Sequence, residues 1–174
     1  MRMLARLAAV FALVGLGAVD AGRGQAASGV PPSRWLSVDA RARTATLTLI
    51  ASYTAALEGF NFDGYGPGAL VVSIPLGYRV RVVYRNNGVF PHSVLVTPYA
   101  KKDLSGGWPL AFPGAASPDA TTGAPRGVVQ RFSFRVTKVG LYAIVCAVSG
   151  HEALGMWDVL RVTRGGRPTV TIQS

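Results

Sequence analysis

The 174-residue chain carries 18 Lys and Arg against 8 Asp and Glu, a formal net charge of +10, and 49% of its residues are apolar. That length and apolar content suffice for one buried core and call for no second domain. The basic residues are scattered through strand-like segments (Arg79, Arg81, Arg85; Arg131, Arg135, Lys138) without an RNP-like or zinc-finger pattern, which excludes nucleic acid and leaves a solvated basic face or an acidic protein partner.

The first six residues, MRMLAR, are short and basic, and residues 7–19 (LAAVFALVGLGAV) are apolar apart from glycines. The run is about 13 residues against the roughly 20 that a membrane-spanning helix needs, so residues 1–26 read as a signal peptide, with an uncleaved anchor as the alternative. Small-x-small sequences at Val19-Asp20-Ala21 and Gly24-Gln25-Ala26 offer cleavage; the second lies just before a Ser/Gly/Pro-rich stretch within a linker over 27–42. Either outcome places the folded domain, 43–174, outside the cytoplasm, in the periplasm or its equivalent. A charge of about +8 remains on the mature chain.

From residue 43 onward the chain reads as strands broken by turns. Residues 44–53 alternate Thr with apolar side chains, 69–74 form a short apolar run, and 78–84 (YRVRVVY) alternate Arg with Val ahead of the turn signal Asn86-Asn87-Gly88. Further strands are expected over 92–97, 130–136, 141–145, 157–163 and 169–172. About eight short strands rich in β-branched and aromatic residues predict an all-β, antiparallel sandwich or barrel with no parallel sheet. The interval 98–126 is rich in Pro, Gly and Ala, includes Trp108 and Phe112, and reads as a long functional or mobile loop insertion.

Chemistry concentrates between two predicted strands. In Cys146-Ala-Val-Ser-Gly-His151-Glu-Ala-Leu-Gly-Met156 a thiolate, an imidazole and a thioether stand at equal spacings, and the second histidine, His92, begins a strand far upstream. Two imidazoles and one thiolate with a weak axial thioether make a type 1 copper site: the soft thiolate favours Cu(I), and the imidazoles accept either oxidation state. Beyond the leader the chain contains one Cys, two His and one Met, and all four fall in this set. An unpaired cysteine outside the cytoplasm also needs such a role. Structural zinc takes four Cys or His ligands, and a thioether is a poor donor to it, so one copper ion is the expected cofactor. Glu58, Asp63 and Glu152 show no paired arrangement, and both histidines are already assigned, so no hydrolytic site competes.

The segment Asn86-Asn87-Gly88-Val89-Phe90-Pro91-His92 resembles the first-ligand strand of plastocyanin-type cupredoxins, and Cys-x4-His-x4-Met resembles their second-ligand loop. More narrowly, Phe60-Asn61-Phe62-Asp63-Gly64, Ala111-Phe112-Pro113-Gly114-Ala115, and Cys146 to His151 with Gly155-Met156-Trp157 resemble the sulfocyanins, small copper proteins of aerobic respiratory chains known chiefly from archaea. The resemblance implies a cupredoxin-type Greek-key β-sandwich that binds copper through His92, Cys146, His151 and Met156. It further implies an electron carrier, not an enzyme, shuttling single electrons between redox partner proteins, a donor and a terminal acceptor such as an oxidase, as a monomer. Sulfocyanins are generally membrane-anchored, so membrane association is the alternative to a free exported protein. Asn87 and Ser93 are expected to bond across to the Cys146 loop, Pro91, Gly150 and Gly155 to shape the site, Trp157 to shield the metal, and residues 108–112 to supply an apolar docking patch. A copper chaperone or storage protein and a small mononuclear copper redox enzyme are the competing functions.

Overall fold

Alternation of apolar and polar side chains decides which face of each strand turns inward. Along β4 (Arg79–Asn86) Val80, Val82, Tyr84 and Asn86 are buried while Arg79, Arg81 and Arg85 are exposed; β2 (Thr44–Ala51) buries Ala45, Leu47, Leu49 and Ala51 in the same way. The computed structural model describes residues 34–173, so the signal peptide read over 1–26 and its cleavage positions lie outside the described residues.

Among the described residues nine strands form two sheets. One has the order β1 (Leu36–Asp39), β2, β4, β6 (Val129–Arg135). The other runs β5 (Leu95–Pro98), β7 (Gly140–Val145), β8 (Trp157–Thr163), β3 (Leu70–Pro75), β9 (Thr169–Ile172). Their inner faces bury Leu49, Phe62, Leu70, Tyr84, Ile144 and Leu160 completely. This is the expected all-β sandwich. No helix among the described residues is long and apolar enough to cross a membrane.

Three features differ from the sequence expectation. The sheets are mixed: β2 pairs with β4 in parallel, and so does β3 with β8. The chain leaves β2 for the opposite sheet at β3 and returns at β4, so the two neighbours run the same way without a helical crossover. Secondly, the first sheet begins ahead of residue 43. β1 pairs antiparallel with β2, and Trp35 beside it is buried with its ring edge-on to Tyr53 at 5.1 Å.

Thirdly, the 98–126 insertion is packed and bonded, not loose. It lies along the second sheet's edge, where Ala124 and His92 exchange backbone bonds and Val96 N–H and Ser117 N–H donate to Ala115 and Val94 carbonyls. That covers an edge which would otherwise present open ladder groups. Trp108 is 7% exposed against Leu95 and Val145, and Phe112 is 2% exposed beside Phe134 and Tyr142. These two aromatics are core, so neither contributes to the docking patch expected at 108–112, where Pro109 and Leu110 are the exposed residues.

Candidate metal centre

His92 sits in the crossing from β4 to β5, and Cys146, His151 and Met156 sit in the β7–β8 hairpin, so one end of the sandwich collects all four residues. The hairpin loop is closed by its own backbone: Cys146 N–H donates to the Met156 carbonyl, Met156 N–H to the His151 carbonyl, and His151 N–H to the Val148 carbonyl, at 3.1, 3.1 and 3.2 Å. Gly150 and Gly155 turn the loop at φ of +84° and +95°, where a side chain would be strained. Their predicted shaping role is visible in those angles.

The donor atoms converge. His92 Nδ1 and His151 Nδ1 are 3.1 Å apart, and Cys146 Sγ lies 3.4 Å from His151 Nδ1 and 3.9 Å from His92 Nδ1. A circle through the three atoms has a radius of about 2.0 Å, close to a metal–imidazole bond length and slightly under a metal–thiolate one. Cys146, Met156 and His92 are each 1% exposed or less, while His151 is half-buried.

The electrostatics fit a cation. Burial, and then the neighbouring His151, lower the His92 pKa to about 4, and burial lowers that of His151, so both imidazoles are neutral with free lone pairs at neutral pH. Burial raises the Cys146 thiol, against the lowering effect of N–H donors from Ser93 and Val148 and of the Ser93 hydroxyl. Among the described residues no carboxylate joins the cluster. A thiolate here therefore needs a metal for its counter-charge. His92, Cys146, His151 and Met156 form the arrangement of a type 1 copper site.

The surroundings confirm Ser93 and correct two other expectations. Ser93 N–H donates to Cys146 Sγ at 3.4 Å, and Ala147 N–H donates to Ser93 Oγ at 3.0 Å, tying the two ligand segments together. Asn87 makes no side-chain bond to the Cys146 loop; its inward-facing neighbour Asn86 does the bracing, with Nδ2 donating to the Phe90 and Ala124 carbonyls and Oδ1 accepting from Gly88 N–H. Trp157 does not shield the metal. Cys146 and Met156 point into the main core, whereas the adjacent Trp157 packs on the far side of the sheet with Trp108 and Val145, beneath the Lys102 ammonium at 4.3 Å.

Phe60 supplies the cover that the sequence did not reveal. Its ring stands edge-on to His151 at 4.8 Å and to His92 at 5.9 Å, and stacks on Phe90 at 6.0 Å. Phe90 (53% exposed) stacks on Phe60, and Leu154 (54%), whose N–H donates to the His151 carbonyl, is also exposed, so apolar surface lies at this end of the sandwich.

Comparison with known proteins agrees with the site. The family described as the sulfocyanin (SoxE) domain matches residues 31–170. A protein named sulfocyanin from Sulfolobus acidocaldarius is 30% identical over 125 residues, covering 68% of this chain and 63% of that protein's length. Among solved structures, the "blue" copper protein auracyanin A from Chloroflexus aurantiacus superposes with a TM-score of 0.50 at 19% identity, covering 69% of this chain and 99% of that one. A blue copper oxidase from Nitrosomonas europaea gives 0.51 at 24% identity, covering 67% of this chain and 38% of that one. The two structures share the fold; the match over residues 31–170 goes further, and the chain belongs to the sulfocyanin family.

Proposed function

We propose that the chain is a blue copper electron-transfer protein that would hold one copper ion through His92, Cys146, His151 and Met156 and carries single electrons between protein partners outside the cytoplasm. The observation that supports it most is the convergence of two neutral imidazoles and a buried thiol on one circle of about 2.0 Å radius. Copper bound there would supply a one-electron couple.

The chain's own residues do the rest. Loop backbone bonds and the Ser93 ties hold the donors in place ahead of any metal, which favours transfer with little rearrangement. Half-buried His151, beside Phe60 and with Phe90 and Leu154 exposed at the same end, offers the way out through a small apolar contact suited to brief encounters. Arg79, Arg81, Arg85, Arg131 and Arg135 project from the outer face of the first sheet. The ion pairs found among the described residues are those of Lys102 with Asp103 and Glu152, so this basic face is free to steer an acidic partner. Residues 1–26 fit as its export signal, with retention as an anchor the alternative.

Cys146, fully buried, is a poor thiol for handing copper on, which weighs against the chaperone reading. Repeated cycling with small one-electron reagents tests the function: retention of copper and indifference to azide are expected, and metal loss or azide coordination would overturn it. Transfer to an acidic partner should slow as salt rises; a flat response removes the steering.

A further inference from the structure

Ser52 has no place in the ligand motifs, yet its hydroxyl touches the site. It follows β2 directly and is held by a bond from its own N–H to the Asn61 carbonyl at 3.0 Å. Ser52 Oγ is 2.7 Å from the Gly59 carbonyl and 3.1 Å from His92 Nε2. A hydroxyl has one proton, and a carbonyl can only accept. The Ser52 proton therefore goes to Gly59, and Ser52 Oγ accepts from His92 Nε2–H. That leaves His92 Nδ1 bare and facing Cys146 and His151.

We propose that Ser52 is a positioning residue that locks His92 in the Nε2–H tautomer, with Nδ1 presented to the metal before the metal arrives; this rests on the copper reading above. The two histidines differ in this respect. His151 Nε2 has no hydrogen-bond partner among the described residues, so no bond on that side of its ring matches the one Ser52 makes to His92.

Two further features are built around the same bond. A Cβ at Gly88 would lie 2.3 Å from Ser52 Oγ and 2.9 Å from His92 Nε2, so glycine there makes room for the bond. The Asn86-Asn87-Gly88 sequence is thus more than a turn. The Phe60-Asn61-Phe62-Asp63-Gly64 stretch serves as the bracket: Asn61 Nδ2 donates to the Thr54 and Ala56 carbonyls, its Oδ1 accepts from Gly64 N–H, and its backbone carbonyl holds Ser52.

The test uses Ser52→Gly and Gly88→Ala in the full chain. Ser52 has φ of +53°, which glycine adopts freely, so Ser52→Gly removes the hydroxyl without backbone strain. Gly88→Ala keeps the hydroxyl but forces the pair apart. Long-range 1H–15N spectra of the metal-free protein at neutral pH should show His92 purely as the Nε2–H tautomer in the wild type and as a mixture in both variants. A wild-type His92 protonated at Nδ1, or a tautomer unchanged in Ser52→Gly, overturns the proposal. Copper titration should show affinity reduced about 10–100-fold in both variants; wild-type affinity in both would equally overturn it. A wild type that shows the locked tautomer but binds no copper would defeat the copper reading and leave the Ser52–His92 lock standing.

Discussion

Asp63 should make the metal-free protein lose stability as pH rises. Its side chain is fully buried; Oδ1 accepts from Ile50 N–H at 2.7 Å and Oδ2 has no partner. Burial pushes its pKa well above the usual carboxylate range, only partly offset by the Ile50 bond. The folded state therefore keeps a proton that the unfolded chain releases near pH 4. A raised folded-state pKa contributes stability that is fully present below the unfolded pKa and is lost as pH climbs through the folded one. The loss is up to about 1.4 kcal/mol per pH unit while the two states differ by a whole proton.

The two histidines act in the opposite sense below about pH 6.5, because burial lowers their folded-state values. The difference between the wild type and Asp63→Asn removes them. Asparagine mimics the protonated acid, retains an acceptor for Ile50, and relieves Asp158, whose own raised value owes part to Asp63. Urea unfolding of both metal-free proteins from pH 4.5 to 7 should show Asp63→Asn gaining on the wild type at up to about 1.4 kcal/mol per unit. A constant gap across that range would refute the reasoning.

Other perturbations separate the site from its scaffold. Ser93→Ala leaves the buried Ala147 N–H without its acceptor and removes the hydroxyl 3.8 Å from Cys146 Sγ; unfolding stability should fall by about 1–3 kcal/mol and the copper potential, by voltammetry, should fall as the thiolate loses a donor. Trp157→Phe removes the better cation–π partner of Lys102, costing about 1 kcal/mol in unfolding experiments, and should leave the visible spectrum unchanged because the ring is on the far face. Phe90→Ser, in the exposed apolar surface at the His151 end, should slow electron self-exchange between Cu(I) and Cu(II) protein, measured by NMR line broadening, about tenfold at unchanged potential, a difference of about 1.4 kcal/mol.

The metal site was legible because the residue types that make it are scarce. With one Cys, two His and one Met after residue 26, any soft mixed site had to use them, and the fold does bring them to one end. The strands were legible from alternation, but alternation says nothing about a strand's neighbour, so the parallel β2–β4 and β3–β8 pairs were not. The same alternation carries two further signals. Adjacent strand residues face opposite ways, so an inward Met156 puts Trp157 outside, and inward Val80, Val82 and Tyr84 make Asn86, not Asn87, the buried one. In the insertion, Pro and Gly content hid the meaning of Trp108 and Phe112, large side chains that secure the segment by packing. Ser52 carried no signal at all: a lone serine 40 residues from His92 becomes a partner only when β2 and the β4–β5 crossing meet.

The most direct measurement is the absorption and electron paramagnetic resonance spectrum of the Cu(II)-loaded protein and of Cys146→Ser. An intense blue thiolate-to-copper band with a small copper hyperfine splitting, lost in Cys146→Ser, is the predicted result. A colourless copper protein, or a band that survives the substitution, would contradict the account.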